Sequence, residues 1–156
     1  MARYKGEVTS PHPVGEVWSY LADLRSVAEW DPSVEDIRLT SGEARTIGAR
    51  YELEVNSLGR RLSLPYVTVA VEPPTHVVFA AETKGVSVRD EARIRPIADG
   101  GSSVVWDAEL RLKGARRLFD PLLRLAFNRL GDRAQRGLRE RLNKLEPPRS
   151  LEGVRA

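Results

Sequence analysis

The sequence predicts an α+β fold in which a curved antiparallel sheet of about seven strands wraps around one long C-terminal helix. Two patterns lead to this prediction. Over residues 34–113 apolar and polar side chains alternate, and short runs with Gly, Pro or Asp interrupt the alternation, which is typical of consecutive β-hairpins. Over residues 115–145 apolar side chains recur every three or four positions, which is typical of an amphipathic helix. A chain of 156 residues is long enough to bury one such core.

The N-terminal part predicts a strand followed by two short helices. Residues 3–10 read as the strand, and apolar side chains then recur at helical spacing over residues 14–24. Pro13 suits the first position of that helix, where no backbone donor is needed. Ser26 and Glu29 have the spacing of a capping box, which indicates the start of the second helix.

The turn at Lys84-Gly85 fixes the register of one hairpin. A two-residue loop pairs Phe79 with Asp90 and directs both side chains to the face that meets the core. Asp90 is then the one charged side chain among inward apolar residues. The outward face, predicted to meet solvent, carries Ser87, Arg89, Glu91, Arg93 and Arg95. The inward residues of the next strand are Val104, Trp106, Ala108, Leu110 and Leu112.

Strand 49–56 alternates cleanly and directs Tyr51 and Leu53 toward the core. Strand 60–71 is apolar on both faces, so its phase stays open. An outward apolar patch on that strand is compatible with a homodimer contact.

The predicted C-terminal helix carries two apolar rows. The first row is predicted to pack on the sheet and consists of Phe119, Leu123, Phe127, Leu130, Ala134, Leu138, Leu142 and Leu145. The second row, rotated by about a quarter turn or more, consists of Leu118, Leu122, Leu125 and Ala126. One contact cannot cover both rows, so the second lines a cavity, contacts a partner subunit, lies on a membrane, or packs under the short helices. Gly131 is predicted to relax or kink the helix.

The same helix concentrates positive charge. Residues 116–144 contain eight Arg and one Lys against three acidic residues, whereas the whole chain has a net charge of only +3. Such a helix attracts phosphate groups on nucleic acid or lipid. Because the arginines alternate with acids and a broad apolar face, a solvated surface is favoured over a nucleic-acid partner.

Composition excludes several kinds of site. The chain has no Cys and only two His, His12 and His76, so a disulfide framework, a thiolate metal site and a thiol nucleophile are excluded. We therefore expect no metal and no other cofactor. No apolar core of a signal peptide and no run of eighteen apolar residues is present, which predicts a cytoplasmic protein without a transmembrane segment.

The order strand, two short helices, six-stranded meander and long C-terminal helix is that of the helix-grip fold. Three segments resemble the START-like (SRPBCC) superfamily: SPHPVGEVWSYLADLRSVAEWDPSV, the Val-Glu-Pro-Pro turn at 71–74, and the Gly-Gly turn before SSVVW at 102–106. More narrowly, the chain is similar to the polyketide cyclase/dehydrase and lipid-transport branch. The prediction is one domain over residues 1–146 and a flexible tail over residues 147–156.

The resemblance implies a cavity between the sheet and the C-terminal helix that accepts a small hydrophobic or aromatic molecule. The residues predicted to bind it are Trp30, Tyr51, Leu53, Phe79, Asp90, Trp106, Phe119, Leu122, Leu123, Ala126 and Phe127. Trp30 is assigned to the cavity rim, or to the core with its indole N–H bonded to the backbone.

Three functions follow from these predictions. The first is binding of a lipid, polyketide or quinone-like ligand. The second is a polyketide cyclase, aromatase or dehydratase-like enzyme in which Asp90 is the candidate acid or base, since an inward carboxyl has a raised pKa. The third is a ribosome- or RNA-binding module that uses the arginine-rich helix.

Overall fold

The computed structural model describes residues 1–57 and 59–145. Within them the strands are β1 (Ala2–Ser10), β2 (Val34–Ser41), β3 (Arg50–Ser57), β4 (Arg60–Glu72), β5 (His76–Glu82), β6 (Val86–Pro96) and β7 (Ser102–Leu112). The helices are α1 (Val14–Leu21), α2 (Val27–Trp30) and α3 (Asp120–Asn143), with 3₁₀ helices at Leu24–Ser26, Ala98–Gly100 and Gly114–Phe119. The tail predicted over residues 147–156 lies outside the described residues.

The strands form one antiparallel sheet in the order β1-β7-β6-β5-β4-β3-β2. Except for β1, every strand therefore pairs with its neighbour in sequence, which is the predicted meander. Phe79 pairs with Asp90 and Ala81 with Val88, as the two-residue turn at residues 84–85 predicts. The helix-grip fold is confirmed.

A bulge accounts for one part of the apolar pattern on β4, the inward position of Val71, whereas Val67 faces outward and Val69 is exposed. Tyr66 pairs with Tyr51, so the first part of β4 directs its even-numbered residues inward. The register then shifts between Thr68 and Ala70, and Val71 becomes an inward residue. Inward apolar residues therefore occupy even positions before the bulge and odd positions after it.

Two local predictions were wrong. Glu91 was predicted to meet solvent on the outward face, but it is only 8% exposed. Its carboxylate oxygens lie 2.8 Å from a His76 ring nitrogen, 2.8 Å from the Arg89 guanidinium and 2.5 Å from the Arg93 guanidinium. These three side chains cover it. Ser26 does not cap α2: its hydroxyl is buried and makes no hydrogen bond within the described part of the chain.

Helix α3 lies on the inner face of β1 and against α2. The Ser10 hydroxyl donates a hydrogen bond to the Leu142 carbonyl (2.7 Å), and the Gln135 side-chain amide donates to the Glu7 carbonyl (3.2 Å). At the other end, the N-terminal amine pairs with Asp120 at 2.9 Å. These contacts hold α3 along the full length of β1.

Two glycines of α3 allow this close packing. A Cβ atom at Gly131 would lie 2.3 Å from the ring of Tyr4, and one at Gly137 would lie 2.0 Å from the carbonyl oxygen of Trp30. Helix α3 continues through Gly131 without a break, and the relaxed or kinked helix there stays a prediction. The glycine provides room for the Tyr4 ring.

The first apolar row of α3 is buried only in its second half. Leu138 and Leu142 are fully buried, whereas Phe119, predicted to pack on the sheet, is 63% exposed. The reason is that α3 packs chiefly on β1 and α2 and does not pack closely on the central strands.

The exposed residues of the second apolar row do not face the sheet. Leu122, predicted to line the cavity, is 68% exposed and is rotated by about 160° from Leu138 on an α-helix. Ala126 is also exposed. These two assignments to the cavity lining are corrected: both side chains lie toward solvent.

The glycine contacts predict a specific effect on stability. Gly137→Ala is expected to lower the free energy of unfolding by about 1–3 kcal/mol, because the added methyl group forces α3 away from α2. Gly15→Ala in α1 is the matched control: no atom lies within 4 Å of its Cβ position, so it should raise the free energy of unfolding by up to about 1 kcal/mol. Urea unfolding followed by circular dichroism measures both. Equal stabilisation by the two substitutions would contradict the packing described.

Candidate functional site

The inner face of β6 and β7 is apolar but only partly covered. One part of this face is half-buried, together with the inward side of the first half of α3, and its apolar side chains include Val86, Trp106, Ala108, Leu110, Leu123 and Phe127. The rest of the inner face, with Val88, Ala92, Ile94 and Val104, is buried. We call the half-buried surface the apolar trough. It exists because α3 follows β1 at the edge of the sheet and does not close over β6 and β7. The trough lies where the resemblance predicts the cavity, between the sheet and the C-terminal helix.

A carboxyl group lies in the floor of the trough. Asp90 is half-buried between Phe79 and Ala108, its neighbours across β5 and β7. The hydroxyl of Tyr66 donates a hydrogen bond to Oδ2 of Asp90 at 3.0 Å. The sequence-based prediction that Asp90 faces inward is confirmed by this register and contact.

The surroundings of Asp90 raise its pKa to about 7. Burial is the main cause, and the negative charges of Asp31 and Asp107 add to it, while the hydrogen bond from Tyr66 acts in the opposite direction. Burial also raises the pKa of Tyr66 well above its ordinary value. Near neutral pH the Asp90 carboxyl is therefore present in both protonation states, and the phenol stays protonated.

Asp31 is a second carboxyl group near this site. It follows α2 and accepts hydrogen bonds from the backbone N–H (2.9 Å) and the hydroxyl (2.7 Å) of Ser33. Burial raises its pKa, and its charge acts on both Asp90 and Tyr66. Sequence reasoning used the Trp-Asp-Pro segment only as a fold marker. The signal that could have identified Asp31 is a carboxyl placed directly after an inward tryptophan.

Two tryptophans lie edge to face beside the trough. The rings of Trp30 and Trp106 are 5.0 Å apart at an angle of 78°. Trp30 is buried, and its indole N–H finds no hydrogen-bond acceptor among residues 1–57 and 59–145. The alternative prediction, a hydrogen bond from the Trp30 indole N–H to the backbone, is therefore not met within the described residues.

The other predicted ligand-binding residues divide into two groups. Tyr51, Leu53 and Phe79 are fully buried, and the rings of Tyr51 and Phe79 contact each other edge to face. They belong to the buried hydrophobic core. Asp90, Trp106, Leu123 and Phe127 keep accessible surface, whereas Phe119, Leu122 and Ala126 face solvent.

Another surface groove lies outside the trough. It has a volume of about 390 Å³ and runs between α2 and α3, lined by Trp30, Pro32, Arg133, Gly137 and Glu140 among others. It is wide open and its rim is charged. We place the candidate site in the trough instead, because the apolar surface and the perturbed carboxyl coincide there.

Neither a metal site nor a bilayer-spanning helix stands out in this part of the molecule. No group of three or more His, Asp or Glu side chains within residues 1–57 and 59–145 is arranged to hold a metal ion. No helix in the same residues combines the length and the apolar character needed to cross a bilayer.

Comparison with known proteins agrees with the architecture. The profile of the family described as polyketide cyclase / dehydrase and lipid transport matches residues 1–146. No curated protein matches the sequence.

Solved structures match almost the whole chain at low sequence identity. The protein TTHA0849 from Thermus thermophilus is 16% identical (TM-score 0.73), and the match covers 90% of this chain and 96% of that protein. The Zhui aromatase/cyclase from Streptomyces sp. R1128 is 14% identical (TM-score 0.71; 90% of both chains). A START superfamily protein from Mycobacterium smegmatis is 13% identical (TM-score 0.70; 91% and 97%). At these identities the structures establish a shared fold.

The raised pKa of Asp90 predicts a pH-dependent stability. The folded state holds the proton up to about pH 7, whereas an unfolded Asp loses it near pH 4, so the Asp90 contribution is complete below about pH 4 and is lost as pH rises to about 7. Relative to wild type, Asp90→Asn should therefore gain stability over that interval, by up to about 4 kcal/mol. Urea unfolding of both proteins at pH 4 to 8 measures the difference.

Asp36→Asn is the matched control, because Asp36 is an exposed carboxyl on β2. Its stability relative to wild type should not follow the same curve. A constant difference between wild type and Asp90→Asn across this pH range would contradict the environment described for Asp90.

Proposed function

The chain belongs to the polyketide cyclase/dehydrase and lipid-transport family, and we propose that it binds a small apolar ligand bearing a carbonyl or hydroxyl group in the apolar trough. The observation that carries the proposal is the hydrogen-bonded pair of Asp90 and Tyr66 on the floor of an otherwise apolar surface. A mostly apolar site with a few converging polar groups is the usual form of a small-molecule site.

The trough offers both affinity and orientation. Its apolar side chains retain contact with water, so a ligand that covers them gains about 25 cal/mol for each Å² of apolar surface removed from water. The half-buried Trp106 ring favours an unsaturated or aromatic ligand. Lipids, polyketides and quinone-like molecules fit this description.

Asp90 would fix the polar end of the ligand. A protonated Asp90 donates a hydrogen bond to a carbonyl oxygen, and an ionised Asp90 accepts one from a hydroxyl group. Because its pKa is raised to about 7, both forms are available at neutral pH. Tyr66 is already committed to Asp90 and orients the carboxyl.

The second candidate function is a cyclase, aromatase or dehydratase-like enzyme. The observation that favours it is the same carboxyl, since an acid or base with a pKa near the working pH transfers protons efficiently. The Zhui protein, which shares this fold, is an aromatase/cyclase. In an enzyme of this kind Asp90→Asn abolishes turnover and leaves ligand binding intact, whereas in a carrier there is no turnover for the substitution to change.

A cytoplasmic location of the protein stays a prediction from the sequence.

Filling the trough tests the site. Ala108→Trp places a large ring beside Asp90 and is expected to weaken binding of small apolar probes by at least about tenfold, because the ring occupies the ligand volume. Arg111→Trp, on the exposed face of the same strand, is the control and should bind like wild type. Native mass spectrometry of the purified proteins, with a hydroxyflavone, a ubiquinone analogue and oleate as probes, measures occupancy.

Organic extraction of the purified wild-type protein identifies any ligand that copurifies. Equal probe binding by wild type and Ala108→Trp would place the ligand site outside the trough.

A further inference from the structure

The outer face of α3 and of the 3₁₀ helix before it carries three leucines followed by three arginines. At spacings of three or four residues these are Leu118, Leu122, Leu125, Arg129, Arg133 and Arg136, which we call the Leu-Arg face. We propose that the Leu-Arg face docks on the surface of an anionic lipid membrane. This proposal is independent of what binds in the trough.

The leucine end is a large exposed apolar surface. Leu118 is 84% exposed, Leu125 is 54% exposed, and the exposed ring of Phe119 lies next to them in sequence. Leu122 lies on the side of α3 opposite the buried Leu138. The leucines are therefore free to meet an external surface without any change in the fold, and contiguous apolar surface of this kind marks an interaction site.

The arginine end is not neutralised by neighbouring acids. Arg129, Arg133 and Arg136 are exposed and take part in no ion pair or side-chain hydrogen bond within residues 1–57 and 59–145. By contrast, Arg3, Arg25, Arg61, Arg89, Arg93 and Arg95 each pair with a carboxylate.

The acids nearest in sequence to the arginine end are Asp132 and Glu140. Glu140 borders the groove between α2 and α3 together with Arg133 and Arg136, and forms no ion pair within the described residues. The next acid toward the N-terminus is Asp120. Asp120 pairs with the N-terminal amine at 2.9 Å, and Asp132 accepts a hydrogen bond from the Tyr4 hydroxyl at 2.9 Å. The face is therefore left with an excess of positive charge, which complements a surface of lipid phosphates.

An anionic membrane accounts for both halves of the face. Leucine and phenylalanine side chains enter the boundary between headgroups and acyl chains, while arginines reach phosphates through long flexible stems. The phosphates of an RNA would bind the arginines but would leave the leucines exposed to water. A second copy paired antiparallel about Leu122 would bring Arg116 and Arg117 of one chain next to Arg129 of the other, and like charges oppose that arrangement.

Vesicle co-sedimentation tests the proposal. The full chain should bind vesicles of phosphatidylcholine and phosphatidylglycerol in equal parts, bind pure phosphatidylcholine vesicles much more weakly, and dissociate as salt is raised. The triple variant Arg129→Gln, Arg133→Gln, Arg136→Gln should weaken the partition coefficient by roughly 100-fold, at about fivefold for each arginine. Leu122→Ser with Leu125→Ser should weaken it by at least about tenfold.

Matched control variants separate this face from general charge and hydrophobicity. The triple variant Arg50→Gln, Arg60→Gln, Arg111→Gln removes three exposed arginines that form no ion pair within the described residues, and Ile47→Ser removes an exposed apolar side chain elsewhere. Both controls should bind like wild type. Circular dichroism and melting temperature verify that every variant is folded.

Three results would overturn the proposal. The first is equal binding of wild type to neutral and anionic vesicles, or to neither. The second is binding to a single-stranded RNA homopolymer that depends on the arginines and not on the leucines, together with no vesicle binding. The third is a dimer in size-exclusion chromatography that the leucine substitutions convert to a monomer.

Discussion

The structure depends on the close approach of β1 and α2 to two glycines of α3. Tyr4 packs on Gly131 and the carbonyl of Trp30 packs on Gly137, at distances that leave no room for a larger side chain. These contacts hold α3 at the edge of the sheet. The inner faces of β6 and β7 are consequently left partly uncovered, and the inward carboxyl of Asp90 lies on that surface. The trough follows from where the helix is anchored.

The position of α3 also explains the two surfaces to which functions are assigned. Its inward side, through Leu123 and Phe127, forms one wall of the trough, and its outward side presents leucines and arginines. Because the apolar side chains of the first half of the helix are exposed or half-buried, neither surface is needed to complete the core. The core is instead completed by Leu138 and Leu142. One helix thus contributes stability through its second half and leaves its first half available for binding.

The sequence predicts the fold and the location of Asp90 because both depend on local rules. A two-residue turn fixes the register of β5 and β6, and alternation then determines which side chains face inward. The solvent exposure of Leu122 and Glu91 could not be predicted in this way. Periodicity shows whether a row of side chains is apolar or charged, but it does not show which other residues cover that row. Asp31 was missed because its effect on Asp90 depends on a long-range approach of α2 to the sheet.

Hydrogen exchange along α3 tests the central claim most directly. Amides of residues 131–143 lie in the half of the helix that packs on β1 and α2, so we expect them to exchange at least about tenfold more slowly than amides of residues 121–130. Peptide-resolved mass spectrometry of the full chain resolves the two halves. Equal protection across the helix, or greater protection in the first half, would show that the first half packs on the sheet and would contradict an open trough.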